Sequence, residues 1–210
     1  MANIIDYLDW RGDIPFSVSP FNEVDNIVFT QFSFIDLEGI LPSRISEGRM
    51  PLHEAVERYF EAHPDESTSM GLIVPAATRT LMRRMAKCER YKNIELAGFV
   101  NRIDENVQKQ FCALTILINE REAYIVYRGT DDTLVGWKEN FNMSFMSPVP
   151  AQSEAVKYLK LAADSTYGSL YLGGHSKGGN LAVYASVKCH AAAKERIIQT
   201  YNNDGPGFSA

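Results

Sequence analysis

The sequence predicts an α/β protein: a mostly parallel sheet flanked by helices, with a helical region ahead of it. Three observations carry this. From about residue 93 onward, short apolar runs rich in β-branched and aromatic residues alternate with Ala-rich segments of helical period. Their order, strand then helix then strand then helix then strand, implies parallel strands joined by crossovers. Before residue 93 the apolar residues recur at three- and four-residue spacing instead. A chain of 210 residues with 45% hydrophobic content is long enough for one sizeable core. We therefore expect a single domain over 1–210, with 1–92 helical and 93–210 forming the sheet core.

The helical part is read from three runs. In EVDNIVFTQFSFIDLEGI the residues Val24, Ile27, Val28, Phe32 and Ile35 keep helical spacing, and Asp25 beside them reads as a surface charge. PLHEAVERYFEAH opens on Pro51, which suits a first helical turn. AATRTLMRRMAKCERY places Leu81, Met82, Met85 and Cys88 on one face. In the sheet core, IELAGFVNRID and FCALTILIN read as strands forming an antiparallel hairpin near residues 94–118, and AYIVYRGT as a strand ending in Gly-Thr. PAQSEAVKYLKLAADSTYG reads as a helix, LYLGG as a strand, NLAVYASVKCHAAAKER as a helix, and IIQTYNNDGPG as a strand entering a turn. Runs of this kind suit strands buried on both faces.

The totals exclude several classes. A net charge of −5 and a pI near 5.4 argue against a nucleic-acid surface. No window approaches about 18 uninterrupted apolar residues, so no transmembrane segment is expected. The N-terminus, MANIIDYLDWRGDIPF, is acidic where a signal peptide would be basic. The three cysteines, Cys88, Cys112 and Cys189, are scattered and suit buried, reduced thiols. A cytoplasmic location is the expectation.

Chemistry concentrates in SLYLGGHSKGGNLAVYAS. Gly174-His175-Ser176-Lys177-Gly178 fits G-x-S-x-G where a strand meets a helix. A nucleophile on so sharp a turn needs tiny neighbours, which Gly174 and Gly178 supply. The turn lifts the serine hydroxyl above the C-terminal edge of the sheet, where ligands of open α/β sheets bind. The following helix adds unpaired N–H groups and a positive dipole end, which favour an oxyanion. The plainer alternative is a Gly-rich turn that merely packs closely. A phosphate loop fails, because Lys177 precedes Gly178 with no Lys-Ser/Thr pair.

YLGGHSKGGNLAVYAS resembles the G-H-S-x-G-G-x-L-A elbow of class 3 lipases and related α/β-hydrolases. AYIVYRGTDDTLVGWKENFN, about 45 residues upstream, resembles their apolar strand, R-G-[ST] loop and W-x-x-[ND] segment. FNEVDNIVFTQFSFIDLEGI and YNNDGPGF resemble an uncharacterised bacterial family of lipase-like α/β-hydrolases. The resemblance implies an α/β-hydrolase-type sheet and a serine hydrolase acting on a small-molecule or lipid ester, with no metal or organic cofactor. It implies Ser176 as nucleophile. Thr130, through its N–H and hydroxyl, and the backbone N–H of Lys177 would form the oxyanion hole. Lys177 departs from the usual Leu, and its side chain would face a carboxylate, an anionic substrate or solvent. His175 would pack beneath the elbow. Trp137, Phe141 and Phe145 would line an acyl pocket or belong to the core.

A serine needs a base, usually a histidine oriented by a carboxylate. The order in this fold is Ser, acid, His. His190 lies on the helix leading away from Ser176, about 21 Å off by helix rise. His53 and His63 flank an amphipathic helix and read as surface residues. The expectation is that the base, and perhaps the acid, lie beyond Ala210. Asp204 is the acid downstream of the elbow helix. It reads either as the triad acid or as a turn or site-lining residue, since Asp-Gly-Pro-Gly is a turn sequence. Without a base the rival is a non-catalytic α/β-hydrolase fold serving as a binding or interaction module.

Overall fold

The computed structural model describes residues 3–64, 77–131 and 133–208. Ala76, at the head of the third helical run, and Asp132 lie outside the described residues. Two N-terminal helices start in the same way. Asn3 caps α1 (Ile4–Arg11) and Asn22 caps α2 (Glu23–Phe32), each reciprocated by the aspartate three residues on, Asp6 or Asp25. Each pairing satisfies orphan N–H donors at the helix start. Then follow a 3-10 turn (Ile45–Glu47), the short strand β1 (Met50–Pro51), α3 (Leu52–Ala62) and α4 (Ala77–Met85).

The sheet core contains β2 (Glu95–Asp104), β3 (Lys109–Asn119), β4 (Glu122–Tyr127), α5 (Leu134–Asn142) and α6 (Pro150–Ser165). It continues with β5 (Ser169–His175), α7 (Lys177–Lys188), α8 (Ala191–Lys194) and β6 (Ile197–Asn203). Among the described residues six strands lie in sequence order, β1-β2-β3-β4-β5-β6.

The molecule is mixed α/β, but the sheet is not mostly parallel. The pairings β1–β2, β2–β3 and β3–β4 are antiparallel, and only β4–β5 and β5–β6 are parallel. The reason is loop length. Asn119 pairs with Glu122, leaving a two-residue turn of Glu120 and Arg121. Such a turn can only reverse the chain, whereas a parallel partner needs a crossover of about a dozen residues or more. The expected hairpin is present as β2–β3. Helical crossovers begin only after β4.

Alternation along the central strands feeds two cores. Leu114, Ile116, Tyr124 and Val126 face the layer of α1–α4, with Phe29, Phe32 and Met82. Ala113, Ile125 and Tyr127 face the opposite layer, with Leu159 of α6 and Leu181 of α7. β3 is buried along nearly its whole length because both faces are covered.

Three local expectations change. On α2 the buried residues are Asp25, Asn26, Val28, Phe29, Thr30 and Phe32, while Val24 and Ile27 are exposed. Asp25 is no surface charge. It is fully buried, pairs with Arg90, and accepts the Tyr91 hydroxyl at 2.6 Å. Arg90 also donates to the carbonyls of Ile14, Ser19 and Pro20, tying the N-terminal segment to the core. The helix expected over 180–196 starts earlier, at Lys177, and breaks at Cys189, whose extended backbone separates α7 from α8.

Candidate functional site

Ser176 sits between β5 and α7 with φ +55° and ψ −126°. That conformation is strained for an L-residue and persists only where the surroundings impose it. Here they do. β4 and β5 run in register with Tyr127 opposite Gly174. A methyl group on Gly174 or Gly178 would overlap the Tyr127 carbonyl oxygen. The two glycines thus let the turn press against the end of β4. From the other side, the Ser176 N–H donates to the Asn203 carbonyl of β6 at 2.9 Å. The Asn203 side chain is in turn held by Asn26 and Thr30 of α2.

Serine is a favoured helix N-cap because its hydroxyl can accept from the first turn. Ser176 occupies the N-cap position of α7 yet makes no side-chain cap hydrogen bond. The residue borders a pocket of about 160 Å³, shared with His175, Thr130, Trp137, Asn140 and Phe34. The Thr130 hydroxyl is buried and has no hydrogen-bond partner among the described residues. Lys177 is the first residue of α7, so its N–H is one of the helix's orphan donors. Ser176, Thr130 and Lys177 are therefore brought to one place, at the C-terminal edge of the parallel strands.

The Lys177 side chain turns away from this pocket into the protein. It is fully buried, and its Nζ lies 3.0 Å from Glu139 Oε2 and 2.7 Å from the Gln110 carbonyl. The same Nζ donates to Gln110 Oε1. Of the three environments expected for it, the carboxylate is the one present. Glu139 also accepts the backbone N–H groups of Gln110 at 2.9 Å and Ala151 at 2.8 Å. Burial pulls the Lys177 pKa below its ordinary value, and the Glu139 charge only partly opposes this.

The aromatics divide. Trp137 lines the pocket, whereas Phe141 and Phe145 are exposed and meet edge to face at 5.6 Å, in neither an acyl pocket nor the core. Phe34 and Asn140 were not foreseen as lining residues. Asn140 had a signal in the W-x-x-N spacing, since Trp137 and Asn140 stand on one face of α5.

Asp204 follows β6 with φ +55° and is exposed. Strand register sets His175 beside Asn203, so Asp204 lies next to Ser176 along the sheet edge. It does not line the Ser176 pocket. Its segment forms a turn in which Gly205 N–H donates to Asn202 Oδ1 at 2.8 Å. Asn180 Nδ2 holds the carbonyls of Pro206 and Gly207.

His175 does not pack beneath the elbow. It is exposed and borders the pocket directly. The other histidines are engaged elsewhere. His53 Nδ1 pairs with the Lys92 carbonyl at 2.8 Å. His63, half-buried rather than fully exposed, pairs with the Tyr59 carbonyl at 2.9 Å and stacks on that ring. His190 caps α8. Among the described residues no group of three or more His, Cys, Asp or Glu is placed to hold a metal ion, and no helix is long and apolar enough to cross a membrane.

A family model described as Mbeg1-like matches residues 85–210, more than half of the chain and all of β2 to β6. The chain belongs to the Mbeg1-like family. No curated protein and no solved structure matches it. Membership corrects the resemblance to class 3 lipases and to lipase-like α/β-hydrolases, because the Mbeg1-like family is a different one. The misleading motifs are short, and backbone crowding at a strand–helix elbow demands the glycines in any chain that makes one. The Mbeg1-like match contains Thr130, Ser176, Lys177 and Asp204, while Phe34 is contributed to the pocket from outside it.

Proposed function

We propose that this Mbeg1-like protein is a serine hydrolase that cleaves a carboxylic ester through an acyl-enzyme on Ser176. One observation carries the reading. A serine at a helix N-cap is held at φ +55°, its hydroxyl unused for capping, and the residue lines a pocket. A turn that merely packed closely would need the glycines but not this serine. In the proposed reaction Ser176 Oγ attacks the ester carbonyl and gives up its proton to a base. The Lys177 N–H and Thr130 stabilise the resulting oxyanion. Collapse expels the alcohol, which takes up the proton, and water then releases the acid and frees Ser176. Losing one oxyanion donor typically costs about 10²–10³ in rate. The substrate is a small-molecule or lipid ester, and the free thiols Cys88, Cys112 and Cys189 suit a cytoplasmic site of action.

A second reading, a binding module without catalysis, is favoured by the histidines. His53, His63 and His190 are bonded elsewhere, and His175 is the chain neighbour of Ser176. A fluorophosphonate probe separates the two readings. It is applied to the protein as its gene encodes it and to residues 1–210, each beside Ser176→Ala. The hydrolase reading expects labelling of the gene-encoded protein that Ser176→Ala abolishes. Folded protein that stays unlabelled would leave the binding module as the better account.

A further inference from the structure

A second cavity of about 450 Å³, lined by none of the residues around the Ser176 pocket, opens between the 3-10 turn, β2, β3 and α6. Its volume is within the range of about 300–1,000 Å³ common for small-ligand sites. Its floor is apolar, made by Ile45, Val100, Phe111 and Tyr158, all buried. Tyr158 presents its ring rather than its polar end. Its hydroxyl donates to the Gly98 carbonyl at 2.7 Å and pairs with Thr115 at 2.9 Å. Gly98 sits at a β-bulge with φ +64°, and any Cβ there would collide with Ile45. The bulge shapes this floor by admitting the 3-10 turn against β2.

The mouth is cationic. Arg44, Arg102 and Lys157 line it, with hydroxyls from Ser43, Ser46 and Ser165. One carboxylate, Glu154, faces three cations: Arg102 at 3.1 Å, Lys157 at 3.0 Å and Lys109 at 3.9 Å. Burial works against the Glu154 charge, yet the Lys157 hydrogen bond and the Lys109 and Arg102 charges outweigh it and hold its pKa below the usual value. Glu154 stays ionised and offsets one charge among Arg102, Lys157 and Lys109, and Glu47 lies 3.7 Å from Arg44; four cations against two carboxylates still leave a positive surplus on a chain whose net charge is −5. A like-signed cluster on an acidic protein raises the local concentration of anions.

We propose that this cavity binds a small amphiphilic anion, an apolar body carrying one carboxylate or phosphate head. The body rests on Ile45, Val100, Phe111 and Tyr158, and the head lies between Arg44, Arg102 and Lys157. The site is independent of any chemistry at Ser176, with which it shares no lining residue.

Titration calorimetry with octanoate, octyl phosphate, octanol and inorganic phosphate tests this. Either octyl anion should bind about tenfold or more tightly than octanol or phosphate alone, and the two anions together tell which head is preferred. Arg102→Ala with Lys157→Ala should weaken the anion about tenfold and leave octanol unchanged. Ser46→Trp, an exposed position at the mouth, should fill the cavity and remove binding, and circular dichroism checks that each variant is folded. Ser176→Ala should bind as the parent does, which keeps this outcome separate from the hydrolase question. Absence of binding at millimolar ligand, equal binding of octanol, or full binding by both cavity variants would overturn the proposal.

Discussion

Thr130 shows how a single residue separates folding from chemistry. Its hydroxyl is buried and has no partner among the described residues. A buried hydroxyl with no hydrogen bond forfeits solvation and gains nothing in return, so deleting it need not weaken the fold. Thr130→Val keeps the β-branched shape and the backbone N–H while removing only the hydroxyl. Urea denaturation should place its midpoint at or slightly above that of the parent. If Ser176 is a nucleophile and the hydroxyl serves the oxyanion, ester turnover should nevertheless fall by about 10²–10³. A large loss of stability would mean that the hydroxyl has a structural partner. Unchanged turnover would remove the Thr130 hydroxyl from the oxyanion hole and leave the N–H groups of Thr130 and Lys177 as the donors.

At the scale of elements, Lys177 decides how α7 is anchored. Its ammonium joins the first turn of α7 to Glu139 on α5 and to Gln110 on β3, and Glu139 extends the link to α6 through Ala151. Removing one partner of a buried pair typically costs about 3–5 kcal/mol, because the other charge is stranded. Lys177→Met should lose that much in urea titration, and adding Glu139→Gln should recover part of it. The pH dependence has a definite sign. Burial lowers the folded-state pKa of Lys177 below its ordinary value of 10.5. Between the folded and the ordinary value the unfolded chain binds more protons, so this lysine adds stability as pH rises through that window. The gap between parent and Lys177→Met should therefore widen as pH is raised from neutral toward 10.5. A gap that narrows would mean the pair favours the charged lysine. Little of this linkage was legible beforehand. The elbow was, because a strand, two glycines and an Ala-rich helix are local signals. That Lys177 turns inward depends on Glu139, and that Asp25 is buried depends on Arg90. Each partner is far off in sequence and joined only by the completed fold.

The whole molecule is a sheet whose two ends are unequally legible in the sequence. Crossover helices after β4 gave the parallel end correctly. The antiparallel end is wider than the helical pattern implies, because the turn at Glu120 and Arg121, only two residues long, reverses the chain between β3 and β4. The same asymmetry sets where the fold is strongest. β3 is paired on both sides and covered on both faces. Among the described residues β6 pairs with β5 alone, and its residues are half-buried or exposed, with Ile198 59% exposed. Opening free energies follow local burial and pairing, reaching the global value only in such central strands. Hydrogen exchange on residues 1–210 should thus find the β3 amides slowest and the β6 amides fastest among β2 to β6. The elbow adds a qualification, because the Ser176 N–H is held by Asn203 at the end of β6. If β6 opens on its own, Ser176 N–H should exchange with it rather than with β5. Protection of β6 equal to that of β3 would contradict the open edge and show that another segment covers this strand in solution. The geometry of Ser176 would then rest on that covering segment as well as on α2 and β4.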